Sequence, residues 1–322
     1  MTRCILHIHS QPLPPNKNSG GANRLVDWLA KEQSNMGFKI YVLSPEGYST
    51  KQYTHITLTD EAKCNLQKLS TLIPKDITDI EYHGGLSTEI IFKLRDRYKN
   101  FISICHAGDG IQCNTVFVSK SHASQSKYNK NKINFNYIYN GIPESEFEYN
   151  EQKKGYFLFL AKVKRSKKGI QTAIKVAKKT KSNLIVAGGH RLGSPETWFK
   201  WHPLITPVGF VNGDFKKDLL RNAKALLVPI SWEEPFGLTI IEAMLSGTPV
   251  IAYNRGAMSE LIVHGETGFL CENEDEFIKA MSLTHQLNKK KMRERAIKYF
   301  SSSAMAIGHL KMLDQASTKQ WE

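Results

Sequence analysis

The 322-residue sequence has no apolar run approaching the eighteen or so residues that a membrane-crossing helix needs, so no such helix is expected. Cysteine is scarce and odd in number. Cys4, Cys64, Cys105, Cys113 and Cys271 are scattered, with no CxxC or Cys/His spacing. That excludes a zinc-finger framework and points to a reduced, cytoplasmic setting. No tandem repeat of solenoid period occurs. No aromatic RNA-binding signature or recognition helix accompanies the basic residues, so nucleic acid is not expected as a partner. No closely spaced acidic pair of the metal-binding kind stands out, and the cluster Glu272–Glu276 reads as the start of a helix. The opening MTRCILHIHSQPLPP holds only a short apolar stretch before His7, His9 and three prolines; it reads as a first strand and its loop rather than a signal peptide.

The length exceeds what one hydrophobic core usually supports, and two domains are expected. The formal charge is +14, unevenly placed: residues 1–150 carry a net +3 and the remainder a net +11. A lysine-rich solvated surface would account for this, and so would attraction of an anionic ligand such as a diphosphate.

Hydrophobic periodicity alternates between strand and helix. In the first half, β-rich runs fall at Cys4–His7, Lys39–Leu43, Ile77–Tyr82, Phe101–Cys105, Thr115–Val118 and Tyr137–Tyr139. Helical patterns are clearest at Gly21–Met36 and Thr88–Lys99. After a polar linker at Glu144–Lys154 the alternation resumes. Strands are predicted at Tyr156–Leu160, Asn183–Ala187, Ile205–Val208, Ala225–Val228 and Val250–Ala252, and helices at Gly169–Lys179, Phe215–Asn222 and Leu238–Leu245. From about Glu274 the chain reads as helices. Such alternation predicts an α/β protein with parallel sheets and right-handed crossovers, and ligands bind beyond the carboxyl ends of such strands.

Two stretches lie where that rule looks. Ser19-Gly20-Gly21 opens the first long helix; its glycines would let a ligand approach the backbone, although an ordinary capped turn uses the same residues. In the second half Val228-Pro229 ends a strand and Trp232-Glu233-Glu234-Pro235-Phe236-Gly237-Leu238 leads into a helix that carries Glu242. Glu234 sits before the helix and Glu242 about one turn inside it, so both carboxylates can face a ligand at its amino end, beside the amides of Phe236, Gly237 and Leu238. Each glutamate taken singly would pass as helix capping; the ordered string does not.

These residues bring out a resemblance that covers nearly the whole chain. SGGANRLVDWLAKEQSNMGFKIYVLSP, VFVSKSHASQSK, YNGIPESEF, GYFLFLAKVKRSKKGIQTAIKVAKK, LIVAGG, VGFV and PISWEEPFGLTIIEAMLSGTPVIAYNRGAMSELIVHGETGFL follow in the order found in family-four retaining glycosyltransferases (glycosyltransferase group 1). The resemblance implies the GT-B fold: two Rossmann-like domains facing a central cleft. The acceptor-binding domain is expected at 1–148, the nucleotide-sugar-binding domain at 149–300, and a C-terminal helix at 301–322 crossing back to the first.

The same resemblance assigns roles. Glu242 would hold the ribose and Glu234 the transferred sugar, with the amides of Phe236, Gly237 and Leu238 beside it. Lys168 would bind the diphosphate together with Lys162, which stands where the family usually has arginine. Lysine keeps the charge and loses the planar fork. Gly20 and Gly21 match the glycine loop near the phosphates, and His106 matches a strand-end histidine aimed at the donor sugar. Gly188, Gly209 and Phe210 match loops that enclose the base. His83 ends a strand on the same side and is left as structural or supporting.

The implied reaction is retaining transfer of a hexose, from a UDP-sugar in the first place with GDP-mannose as the alternative base, to a glycan or lipid-linked acceptor. No metal and no cofactor beyond the donor is expected. Cell-surface polysaccharide or lipopolysaccharide assembly is the family-level setting. A nucleotide-sugar epimerase on the same fold and an inactive sugar-nucleotide-binding protein are the other readings. Lys93, Arg95, Arg97 and Lys99 follow Ile90, Ile91 and Phe92 on an amphipathic helix, which offers either a solvated face or peripheral contact with the inner face of a membrane.

Overall fold

In a computed structural model, which describes residues 3–16, 19–128, 136–189 and 202–318, the chain divides into two compact units. Met1–Pro143 and Ser301–Glu322 make the first, Glu144–Phe300 the second. Each is built on a six-stranded parallel sheet among the described residues.

The first unit contains β1 (Cys4–Ile8), α1 (Gly21–Asn35), β2 (Lys39–Ser44), β3 (Thr54–Thr57), α2 (Leu66–Leu72), β4 (Asp79–Tyr82), α3 (Thr88–Arg97), β5 (Asn100–Cys105), β6 (Thr115–Phe117) and α4 (Lys120–Gln125). The strand order is β3-β2-β1-β4-β5-β6. β1 is buried along its whole length, as expected of a central parallel strand covered on both faces. Ile5, Val26, Ala30 and Val42 pack on one side of it, and Leu6, Ile8, Ile80, Ile90 and Leu94 on the other.

The second unit contains β7 (Tyr156–Leu160), α5 (Ile170–Lys179), β8 (Asn183–Ala187), β9 (Ile205–Gly209), α6 (Gly213–Asn222), β10 (Leu226–Val228), α7 (Leu238–Leu245), β11 (Val250–Tyr253), α8 (Met258–Leu261), β12 (Gly268–Cys271), α9 (Glu274–Leu283) and α10 (Lys289–Phe300). Its order, β12-β11-β10-β7-β8-β9, repeats that of the first unit, so each sheet reverses direction beside its first strand. That reversal opens the crevice in which doubly wound sheets bind ligands. The last helix, α11 (Ser302–Thr318), belongs to the first unit; it packs on α1 and β5 and is tied to α1 by a hydrogen bond from Ser302 to Glu32 of 2.8 Å.

Three elements differ from the sequence expectation. Tyr137–Tyr139 is not a strand; Tyr137 makes only an isolated bridge to Phe117. β3 and β12, each of four residues, extend the sheets at their edges, where a short pattern carries little periodicity. The apolar residues of α3 are not available to a membrane: Ile90, Ile91 and Leu94 are buried and Phe92 packs on the same core. Lys93 pairs with Glu89, and Arg95 pairs with Asp96 and covers Phe92. No helix among the described residues is long and apolar enough to cross a membrane. All five cysteines are free.

One glycine governs the geometry of the second unit. Gly169 has φ +80°, and a Cβ there would collide with the Pro229 carbonyl. Gly169→Ala is expected to lower the stability of the second unit by about 2 kcal/mol or more, read as a fall in its denaturation midpoint; an unchanged midpoint would contradict the close approach.

Candidate functional site

In the second unit, the loop after β7 lies against the loop after β10. Ser231 donates its amide to the Lys167 carbonyl at 3.0 Å, and Gly169 abuts Pro229. The contact places Lys168 on Glu234, joined by a charge-assisted hydrogen bond between Nζ and Oε2. The Trp232 indole N–H donates to the same carboxylate oxygen at 3.0 Å, and Lys167 sits 3.7 Å above the Trp232 ring. The Asn254–Ala257 turn supports Glu234 from behind: Ala257 donates its amide to the Glu234 carbonyl at 3.0 Å. A Cβ on Gly256, φ +59°, would strike the Glu234 backbone.

α7 begins after Gly237, whose φ of +103° suits a residue without a side chain. Phe236 is buried with its ring against Phe300, so only its backbone is placed to serve a ligand. Glu242, on the fifth residue of the helix, is 4% exposed. Its Oε1 accepts from Lys216 Nζ at 2.5 Å. Its Oε2 is shielded and has no hydrogen-bond partner among the described residues. A buried carboxylate oxygen without a partner is costly, which makes Glu242 an unusual residue for a helix face.

The remaining predicted residues of this unit cluster at the carboxyl ends of β7, β8 and β9. Gly188, φ +123°, leaves no room for a Cβ beside the Ala161 carbonyl, and its amide donates to the Gly209 carbonyl at 2.7 Å. Val163 donates its amide to the Gly188 carbonyl at 3.1 Å, which holds the Lys162 loop on the same edge. Lys162 is exposed and pairs with no described carboxylate, and Phe210 is 55% exposed. In the sequence Trp232 and Gly256 stand only as parts of longer matched strings, and Lys216 is not singled out. Nothing distinguishes Lys216 from its neighbours in a basic helix until the fold sets it against Glu242.

Of two depressions, of about 580 and 520 Å³, the smaller is lined by Phe215 and Lys217, the chain neighbours of Lys216. The larger involves Lys153, Thr180, Ser182 and Lys224, which precede β7, β8 and β10, and so lies at the opposite end of the sheet.

In the first unit, the carboxyl ends of β1, β4 and β5 gather histidines. His106 Nε2 meets His83 Nδ1 at 3.2 Å, and His83 Nε2 meets His7 Nδ1 at 3.2 Å. His7 Nε2 meets Gln33 Oε1 at 2.8 Å, Gln33 donates to Glu81 Oε1 at 2.5 Å, and Glu81 Oε2 meets His309 Nδ1 at 2.6 Å. His83, left aside as structural on the sequence, is thus bonded directly to His106. His9 borders the group, edge-on to His83 and 3.4 Å from Asn23 Oδ1. Gly20 and Gly21 stand at the start of α1. Gly20 has an ordinary φ of −69° and open space where a Cβ would be, so the fold of the chain does not itself require glycine there.

Burial sets the charge states of this cluster. It lowers the pKa of His7, drives His83 well below the ordinary histidine value, and takes His9 to about 4 and His106 to about 3. Burial also pushes Glu81 upward, but its interactions with His309 and His7 and the hydrogen bonds from His309 and Gln33 outweigh it and bring Glu81 to about 2. His7, Glu81 and His83 bring three potential metal-ligand atoms within 4.8 Å of one another. The ring planes of His7 and His83 differ by only 14°, with centroids 5.5 Å apart, so the two nitrogens point at each other across a hydrogen bond rather than converging on a third point.

With these residues in place, comparison with known proteins identifies the class. Residues 141–302 match the family "Glycosyl transferases group 1", and the chain belongs to it. An uncharacterized glycosyltransferase of Methanocaldococcus jannaschii is 26% identical over 302 residues, covering 80% of this chain and 73% of that protein. An alpha-1,3/1,6-mannosyltransferase, alg-2 of Neurospora crassa, is 47% identical over 73 residues, 22% of this chain and 15% of that one. Among solved structures, AviGT4, a glycosyltransferase involved in avilamycin A biosynthesis, superposes with a TM-score of 0.77 over 99% of this chain and all of that one, at 17% identity. Anabaena HepE, solved with UDP and glucose, gives 0.67 over 97% of this chain and all of that one, at 14% identity. The fold is that of the GT-B glycosyltransferases.

The buried histidines make stability depend on pH. A group whose pKa falls on folding contributes stability that is complete above its unfolded value and is lost as pH drops through its folded value. The melting temperature of the first unit is therefore expected to fall as pH is lowered from 7 to 5, each such histidine contributing up to about 1.4 kcal/mol per pH unit. A flat profile over that range would show that these rings take up protons freely in the folded state.

Proposed function

We propose that the protein is a retaining glycosyltransferase that transfers a hexose from a UDP-sugar to a glycan or lipid-linked acceptor. The observation that carries this reading is the shielded Oε2 of Glu242, without a partner among the described residues, on the helix that follows the loop in which Glu234 meets Lys168. A ribose hydroxyl would satisfy that oxygen. Lys168, bonded to Glu234, would neutralise a diphosphate together with Lys162 from the same loop. Glu234, held by Trp232 and Lys168, would accept from sugar hydroxyls. Gly188, Gly209 and Phe210 would enclose the base, Gly20 and Gly21 would leave room for phosphates, and His106 would face the transferred sugar.

In the reaction, the bond from the anomeric carbon to the diphosphate oxygen breaks and a bond to the acceptor oxygen forms on the same face. The acceptor's proton passes to the departing diphosphate oxygen, so no protein nucleophile is needed. The chain's part is positioning and stabilisation of charge on the leaving group. The reading includes no resident metal. It also places the protein in the cytoplasm, where free thiols persist. The HepE complex with UDP and glucose supports UDP as the base, while the match to alg-2, a mannosyltransferase, supports testing a mannose donor, GDP-mannose, beside it.

A panel of nucleotide sugars screened by thermal shift is expected to give stabilisation by a UDP-sugar above all others, since a ligand bound only to the native state raises its melting temperature. Stronger stabilisation by GDP-mannose would overturn the base assignment. Conversion of labelled donor to a new nucleotide sugar with no UDP released would make the protein an epimerase. Glu242→Ala is expected to weaken nucleotide binding roughly tenfold or more, and Lys168→Ala to reduce transfer by about 10²–10³. Wild-type values in both variants would refute the site. Transfer should also survive EDTA; its loss on chelation and return with added zinc would redirect attention to His7, Glu81 and His83.

A further inference from the structure

The run of contacts from Glu81 to His106 has a direction, and the direction can be worked out from donors and acceptors alone. Glu81 receives hydrogen bonds at both oxygens, from Gln33 and from His309. As a carboxylate it can only accept, so the Gln33 amide must turn its NH₂ toward Glu81 and its carbonyl toward His7. His7 Nε2, 2.8 Å from that carbonyl, must then carry the hydrogen. A neutral imidazole has one N–H, so His7 Nδ1 is bare and accepts from His83 Nε2. The same step repeats: His83 Nδ1 is bare and accepts from His106 Nε2. The ring planes of His83 and His106 differ by 22° with centroids 5.4 Å apart, again an in-plane, nitrogen-to-nitrogen approach. His106 Nδ1 is thereby left without a hydrogen, and it has no partner among the described residues.

We propose that Glu81, Gln33, His7 and His83 are positioning residues that lock His106 in its Nε2–H tautomer, so that Nδ1 can only accept a hydrogen bond. Taken with the function proposed above, on which this part rests, the acceptor serves a hydroxyl of the transferred sugar. The lock is anchored at its far end. Glu81 fixes the Gln33 amide by accepting from it, and its other oxygen accepts from His309 of α11, 228 residues further along the chain. His9, which also borders the group, bonds to Asn23 and takes no part in the series.

The full chain labelled with ¹⁵N-histidine tests the lock without any ligand. Long-range ¹H–¹⁵N correlation at pH 7.5, with His106→Gln for assignment, should show His7, His83 and His106 protonated at Nε2 and bare at Nδ1. A hydrogen on His106 Nδ1, or an even mixture of tautomers, would overturn the proposal. Glu81→Gln, whose amide can both donate and accept, should mix the tautomers of His106. It should also cut by roughly tenfold the affinity advantage of UDP-glucose over UDP, or of GDP-mannose over GDP. The double variant with His106→Gln should lose no more than His106→Gln alone. Tautomers mixed by Glu81→Gln without any change in that advantage would overturn the role of the lock in sugar binding. If the wild-type tautomers are as expected but His106→Gln leaves the advantage intact, the lock stands and the placing of His106 at the sugar fails. Should Glu81→Gln not fold, the wild-type spectrum still decides the tautomer.

Discussion

Lys168 and Glu234 lie 66 residues apart and meet because β7 and β10 are neighbours where the second sheet reverses direction. Everything else in that site follows from how closely the two strand-end loops approach. The approach needs Gly169 in a left-handed conformation against the Pro229 carbonyl, and it is reinforced by the hydrogen bond from Ser231 to Lys167. A side chain at position 169 would force the loops apart and carry Lys168 away from the carboxylate. The lysine-rich loop matters chemically only because a glycine lets it lie against the next strand end.

The two units solve one architectural problem twice, with different chemistry at the edge. Both have the same strand order, and both collect functional groups beyond the carboxyl ends of the strands flanking the reversal. In the second unit those groups are charged and face one another as lysine–glutamate pairs. In the first they are mostly neutral rings. Burial keeps His7, His83 and His106 unprotonated, and a single ionised glutamate stands at the end of their series. A buried carboxylate would be unfavourable alone; the hydrogen bonds from Gln33 and His309 are what make it tolerable.

Several of these features could be read along the chain. The alternation of strand and helix patterns, the glycine-opened first helix and the string from Trp232 to Glu242 point to two Rossmann-like domains and to the paired glutamates, because these signals are local. The edge strands β3 and β12 were too short to show a period. Tyr137–Tyr139 has the composition of a strand but finds only one bridging partner. The amphipathic pattern of α3 was real, yet its apolar side turned out to face the unit's own core.

What the sequence by itself determined was the kind of element each segment forms and the identity of the groups at the strand ends, since both depend on residues near one another in the chain. The tertiary structure alone decided which of those groups touch. Lys216 is one lysine among many until α6 sets it on Glu242. His83 is a strand-end ring until β4 lies between β1 and β5, and His309 is remote from Glu81 until α11 returns to the first unit. Hydrogen bonds act over about 3 Å, and only folding brings residues from distant parts of the chain within that range.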